Sequence, residues 1–284
     1  MEDGAGMHAP RRSNEPPGPG AAPDIAGALA DLRALVGRYG TLSPEIASRA
    51  PAGHQDRLPD GGGPGWSFQL PGMPHLEDPR ESAVLVLFGA LDDRPSHHHT
   101  SAVPADLDLL LTQRAVTLRK HPGQVAFPGG MRDPEDPSMT ACALREAEEE
   151  TGLDVSGVKV IGHLPPAPLT VTNFLVTPVI GWWDRPSDVF VVDEGEASRV
   201  FRVPVADLVD PANRITTARA PEPSVGQRRF TSPGFQVSDT LVWGFTAILL
   251  DRMLELLGWA QPWDRNRILD VSGWDGTTPP PRLD

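Results

Sequence analysis

The chain has 284 residues, a length that suits one enlarged domain or two modest ones, and its 28 glycines and 32 prolines imply stretches without regular structure. A formal net charge of -13 excludes nucleic-acid binding through a broad basic surface, because such binding works by neutralising phosphates with Lys and Arg. The single cysteine, Cys142, excludes an intrachain disulfide and a multi-thiolate metal site and fits a reducing cytoplasm, and no apolar run reaches the roughly 18 residues that a membrane-spanning helix needs.

Residues 1–22 are rich in Gly, Pro and Ala, lack the apolar run of a signal peptide, and are expected to form a disordered tail. Residues 23–78 are expected to be a helical and loop extension. Within it Ile25, Leu29, Leu32 and Leu35 recur at helical spacing behind Asp24, a suitable N-cap, and predict a helix to about Gly37. The Gly- and Pro-rich passage 51–74 reads as loop. The main domain is placed at 79–262. It opens with the apolar run Ser82–Phe88, which suits a buried strand, and the polar stretch 92–104 connects it to a second strand, Leu107–Gln113. Val125–Phe127 reads as a short strand ending at Pro128-Gly129-Gly130. A helix is predicted from about Ser138 to Thr151, capped by Asp136 or Ser138 and stopped by Gly152. Further strands are predicted at Val158–Leu164, Phe174–Trp182 and Arg199–Val203, and an amphipathic helix at Thr246–Leu257. Residues 263–284 read as a tail with few apolar anchors.

The chemistry concentrates in Gly129-Gly130 and the predicted helix after them, which ends Arg145-Glu146-Ala147-Glu148-Glu149-Glu150-Thr151-Gly152-Leu153. Residues three and four apart share a helix face, so Glu146, Glu149 and Glu150 project together. Three carboxylates so close repel one another unless divalent cations sit among them, and hard oxygen ligands suit Mg2+ or Mn2+. Thr140, Leu144, Ala147 and Thr151 offer the opposite face for packing on a sheet. The glycine pair allows close backbone approach to a phosphate or a metal.

Arg145 to Leu153 resembles the second half of the Nudix signature, Arg-Glu-apolar-x-Glu-Glu-x-Gly-apolar. In the first half the acidic position after Gly130 is Asp136 rather than Glu, and the spacing to Arg145 is one residue longer, a departure shared with the coenzyme A pyrophosphatase branch. That branch is also similar in its upstream block, here Leu110-Leu111-Thr112-Gln113-Arg114, then Arg119-Lys120, then Gly123 to Phe127-Pro128-Gly129-Gly130. Val171–Gly181, Val200–Pro204 and Trp243–Ala247 look like further blocks of the same branch. The resemblance implies an α/β fold, the Nudix α/β/α sandwich with a mixed sheet. It also implies hydrolysis of the pyrophosphate of coenzyme A or acyl-CoA to 3′,5′-ADP and (acyl-)4′-phosphopantetheine. By position, Glu146, Glu149, Glu150 and Gly130 are the implied metal ligands, and Arg145 orients a glutamate. Arg114, Arg119, Lys120 and Gly129 face the substrate, and Glu149 or Glu196 is the general base. The implied partner is a small-molecule nucleotide, with no nucleic acid and no membrane; a homodimer is left open by analogy with the superfamily. NADH, ADP-ribose or other nucleotides are the alternative substrates, and an inactive binding module is the reading from a different class.

Plainer readings stand beside several of these residues. A Glu-rich helix face is usually solvated surface, and the Phe-Pro-Gly-Gly block at the right distance is what argues otherwise here. His97-His98-His99 in a polar connection is read as solvated loop, Cys142 as a packing residue, and Trp243 and Phe245 as core in preference to an adenine stack.

Overall fold

The computed structural model describes residues 24–48, 65–66, 68, 76–90, 96–98, 100–220, 230–274, 276, 278–281 and 283. The expected 1–22 tail, most of the 51–74 loop, and residues 92–95 and His99 of the polar connection lie outside the described residues.

Helix α1 (Ile25–Tyr39) begins at Asp24, whose Oδ1 accepts the Gly27 N–H at 2.6 Å and satisfies one of the free donors of the first turn. It passes through Gly37 because Val36 and Tyr39 are buried, so tertiary packing outweighs the weak helix propensity of that glycine. Gly40 ends it at a point where the backbone runs against His163 with no room for a Cβ. Then come β1 (Thr41–Leu42), the short α2 (Pro44–Ala47), β2 (Arg80–Ala90), β3 (Leu107–Arg114), β4 (Val125–Ala126) and β5 (Gly129–Met131). Next are α3 (Met139–Thr151), β6 (Val158–His163), β7 (Ala167–Leu169), β8 (Phe174–Trp183) and β9 (Ala197–Pro204). The nine strands form one sheet in the order β1-β6-β8-β2-β3-β4, with β5 on β2, β7 on β8 and β9 on β3. The sheet is mixed, because β2 and β8 run parallel while the other pairs are antiparallel.

Strand β2 is apolar from Ala83 to Phe88, where both of its faces are covered. Ala83, Leu85 and Leu87 pack with Cys142, Ala143 and Ala147 of α3 and with Leu153, while Val86 and Phe88 face the larger core. That second core includes Leu32, Leu35 and Val36 of α1 and, from α5 (Gly244–Leu257), Leu249, Leu250 and Met253. Helices therefore lie on both faces of a mixed sheet, the α/β arrangement expected. The segment 23–78 contributes to this core directly, and Trp259 Nε1 donates to Asp31 of α1 at 2.9 Å.

Between β9 and α5 stand α4 (Val205–Val209), β10 (Arg214–Arg219), β11 (Phe230–Val237) and β12 (Thr240–Val242), none of which the sequence pattern announced. The three strands and β13 (Ile268–Asp270) form a second sheet in the order β12-β11-β10-β13. Strand β13 uses residues read from the sequence as a poorly anchored tail, and it pairs parallel to β10. Arg214 of β10 is fully buried, paired with Asp251 of α5 and held between the rings of Phe235 and Trp263, 4.4 and 4.8 Å away. This ion pair ties the second sheet to α5.

Candidate active site

Strand β5 places Gly129 and Gly130 against Val84 and Ala83 of β2, one strand from the face that α3 covers. A Cβ on Gly129 would overlap the backbone of β2, and one on Gly130 would overlap the Glu146 carboxylate. The glycine pair thus lets the strand and the helix meet, and it sets Glu146 directly over the backbone of β5.

Ser138 caps α3, its Oγ accepting the Ala141 N–H at 3.1 Å, and Gly152 closes the helix in the left-handed conformation at φ 66°. Asp136, the other cap that the sequence offered, does something different. Its buried carboxylate accepts Arg145 Nε at 3.1 Å and Nη2 at 2.9 Å, a two-pronged pairing. The hydrogen bond from Arg145 holds the Asp136 carboxyl down at about 2. The remaining arm of Arg145, Nη1, reaches Glu146 at 3.1 Å and Glu149 at 3.0 Å. One guanidinium therefore fixes the loop before the helix and two of the three signature glutamates. This anchoring role of Asp136 went unread in the sequence, where its acidic position after Gly130 was the available signal.

Glu150 points the other way, to Gly129, whose N–H donates to Oε2 at 3.1 Å. Burial pushes its carboxyl up to about 7; the charges of Glu146 and Glu196 add to the shift, while the Gly129 N–H and Arg114 oppose it. Burial also raises the Glu146 carboxyl. Glu149 is the exposed member, its side chain 60 % accessible. Drawn to Arg145 on one side and Gly129 on the other, the glutamates are not gathered on one point, and among the described residues no trio of metal-ligating side chains is closed.

Arg114 ends β3, and its charge favours the ionised form of Glu150. Glu196 O accepts the N–H of Ala115, the residue after Arg114, at 2.9 Å. Arg119 and Lys120 are exposed on the loop between β3 and β4. The chain thus brings Arg145, Glu146, Glu149, Glu150, Gly129, Gly130, Arg114 and Glu196 together around one end of α3, with Arg119 and Lys120 on the adjoining loop.

The donor set fits a hard divalent cation. Glu150 is an enclosed carboxylate among further carboxylates, and a positive ion is what relieves that arrangement. The other candidates are accounted for by packing. Cys142 is buried in the helix–sheet seam, and burial pushes its thiol up to about 11, far from a nucleophilic thiolate. His97 and His98 donate their backbone N–H groups to Asp207, and His98 Nδ1 lies 3.5 Å from Asp210. Trp243 packs at 6.0 Å from Trp274 beside the small core of the second sheet, and Phe245 packs against the large core. Among the described residues no helix is long and apolar enough to cross a membrane.

A family profile described as NUDIX domain matches residues 95–221. NudL of Shigella flexneri serotype 5b (strain 8401), described as an uncharacterized Nudix hydrolase, is 47% identical over 135 residues, 45% of this chain and 69% of that protein. A protein of the same description from Escherichia coli O7:K1 (strain IAI39 / ExPEC) is 54% identical over 102 residues, 36% of this chain and 52% of that protein. Among solved structures, the Nudix hydrolase RenU of M. smegmatis has a TM-score of 0.34 and 21% identity, covering 46% of this chain and 74% of its own. The NUDIX domain of Shewanella oneidensis NrtR, complexed with ADP ribose, has a TM-score of 0.34 and 20% identity, covering 46% and 76%. The assignment rests on the sequence relatives and not on these weak structural likenesses. With the glutamate-bearing helix set on a glycine strand of a mixed sheet, the chain belongs to the Nudix hydrolase family of pyrophosphohydrolases.

Proposed function

We propose that the chain hydrolyses the pyrophosphate bond of coenzyme A or acyl-CoA, releasing 3′,5′-ADP and (acyl-)4′-phosphopantetheine, with Mg2+ or Mn2+ as the metal. The observation that carries the reading is the pair of glutamates seated on the glycine strand, Glu150 accepting the Gly129 N–H and Glu146 lying over Gly130, with the charge of Arg114 from the upstream block acting on Glu150.

Glu146, Glu149, Glu150 and the Gly130 carbonyl are the proposed holders of the metal. When bound, the cation polarises phosphorus and lowers the pKa of the attacking water. Arg145 orients Glu146 and Glu149, and its bonds to Asp136 brace it against the loop. Arg114, Arg119, Lys120 and the Gly129 backbone hold the phosphates of the substrate.

Glu149 is the proposed general base, and Glu196 is the alternative. Glu149→Gln is expected to cut turnover by at least ~10²-fold with the fold retained, and near-normal turnover removes Glu149 from the mechanism. Glu196→Gln assayed in parallel decides between the two carboxylates.

The substrate is tested by incubating the purified protein and magnesium with coenzyme A, an acyl-CoA, NADH, ADP-ribose and nucleoside triphosphates, then identifying products by mass. Preferential release of 3′,5′-ADP supports the reading. Turnover of another compound alone reassigns the substrate, and absence of turnover with either metal favours a binding module.

A further inference from the structure

The connection between β8 and β9, residues 184–196, is acidic. Past Arg185 it carries Asp188, Asp193, Glu194 and Glu196 and no basic residue. It is nevertheless laid against the C-terminal end of α3, the negative pole of a helix whose last turns hold Glu148, Glu149 and Glu150. Charge alone drives two such segments apart.

Two hydrogen bonds and one ring hold them together. Phe190 N–H donates to Thr151 O at 2.9 Å, meeting a carbonyl that the end of the helix leaves free, and Asp154 N–H donates to Ser187 Oγ at 3.2 Å. The Phe190 ring lies so close over Gly152 that a Cβ there would overlap it, and Val189 packs against the core between α3 and β2. The ring itself is 57 % exposed and belongs to none of the apolar cores, so the helix cap is what it covers. At its other end the connection is equally fixed. Asp193 O accepts the N–H groups of Glu196 and Ala197 at 3.1 and 3.0 Å, Ala197 pairs with Arg114, and Glu196 O accepts the Ala115 N–H at 2.9 Å. The connection is a strut from the end of α3 that bears Glu149 and Glu150 to the end of β3 that bears Arg114.

We propose that Phe190 is a positioning residue of the reaction: by clasping Gly152 it holds the 184–196 connection, and with it Glu196, at the glutamate end of α3 against their mutual repulsion. The inference rests on the reading of the site in which Glu196 faces the reacting groups.

The test is a double-mutant cycle on the full chain with magnesium, run on whichever compound of the substrate panel is turned over. Phe190→Ala is expected to lower kcat about tenfold or more, the size of a small misplacement of a reacting group, with KM moved less than about threefold. Phe190→Leu is expected to restore most of the rate, and in the Glu196→Gln background Phe190→Ala is expected to cost nothing further. Amide exchange of the metal-free chain gives a readout without turnover. In Phe190→Ala the N–H groups of Ala115 and Ala197, bonded to Glu196 O and Asp193 O, are expected to exchange about tenfold faster or more, while those of β2 and the middle of α3 hold. Phe190→Val, a milder truncation, carries the same comparisons if the alanine variant does not fold. The proposal is overturned by near-normal kcat in Phe190→Ala, by an equal loss in both backgrounds, by an effect on KM alone, or by unchanged exchange at Ala115 and Ala197. Faster exchange throughout the chain also overturns it, because the ring then supports the fold at large. Normal turnover of Glu196→Gln beside an impaired Glu149→Gln sinks this proposal and leaves the pyrophosphatase reading intact. Turnover of a compound other than coenzyme A sinks the substrate reading, while the cycle and the exchange still decide the role of Phe190.

Discussion

Glu150 is held by opposing forces: burial favours its neutral form, and one N–H together with the Arg114 charge favours the ionised one. Burial wins, so the folded chain binds this proton more tightly than the unfolded chain, whose carboxyl titrates near the ordinary 4.5. The sign follows by linkage: the contribution to stability is fully present below 4.5 and is lost as pH rises through about 7. Thermal melts of metal-free protein across that window should show the decline, Glu150→Gln should flatten it, and added magnesium should offset it by binding the ionised form. An unchanged profile in Glu150→Gln would assign the titration elsewhere. Arg145 is the complementary case, a cation whose strongest hydrogen bond goes to Asp136, outside the helix, so that one residue joins a loop to two turns of α3.

At the scale of elements, β5 and α3 depend on two adjacent glycines for different reasons. A methyl group at Gly130 meets the end of the Glu146 side chain, which can shift at the cost of its Arg145 contact, whereas one at Gly129 meets the β2 backbone at a positive φ of 155°. Gly130→Ala should therefore melt close to the unaltered protein while losing roughly 10–100-fold in turnover, because a supporting contact of a ligand is displaced. Gly129→Ala should lower the melting temperature substantially. Calorimetric melts beside a turnover assay check both, and equal effects on stability would contradict this division of labour.

Across the whole molecule, the segment before the main domain is part of the core. Leu32 of α1 is fully buried against the side of the sheet that faces α5. Leu32→Ala should cost about 2–5 kcal/mol in urea unfolding, the usual range for a buried leucine, and a change near zero would mean that α1 docks only loosely. What the sequence determined by itself was local. Apolar periodicity with Ser138 and Gly152 marked α3, so the carboxylates on one helix end were legible, as was the strand-like run of β2 that packs beneath them. The second sheet was not legible, because Arg214–Arg219 lacks a clean polar–apolar alternation and includes an arginine whose burial depends on Asp251, Phe235 and Trp263 from distant parts of the chain. The partition of the glutamates between Arg145 and Gly129 was likewise decided only on folding. Helical spacing is written in neighbouring residues, whereas long-range ion pairs and strand pairing exist only once remote segments have been brought into contact.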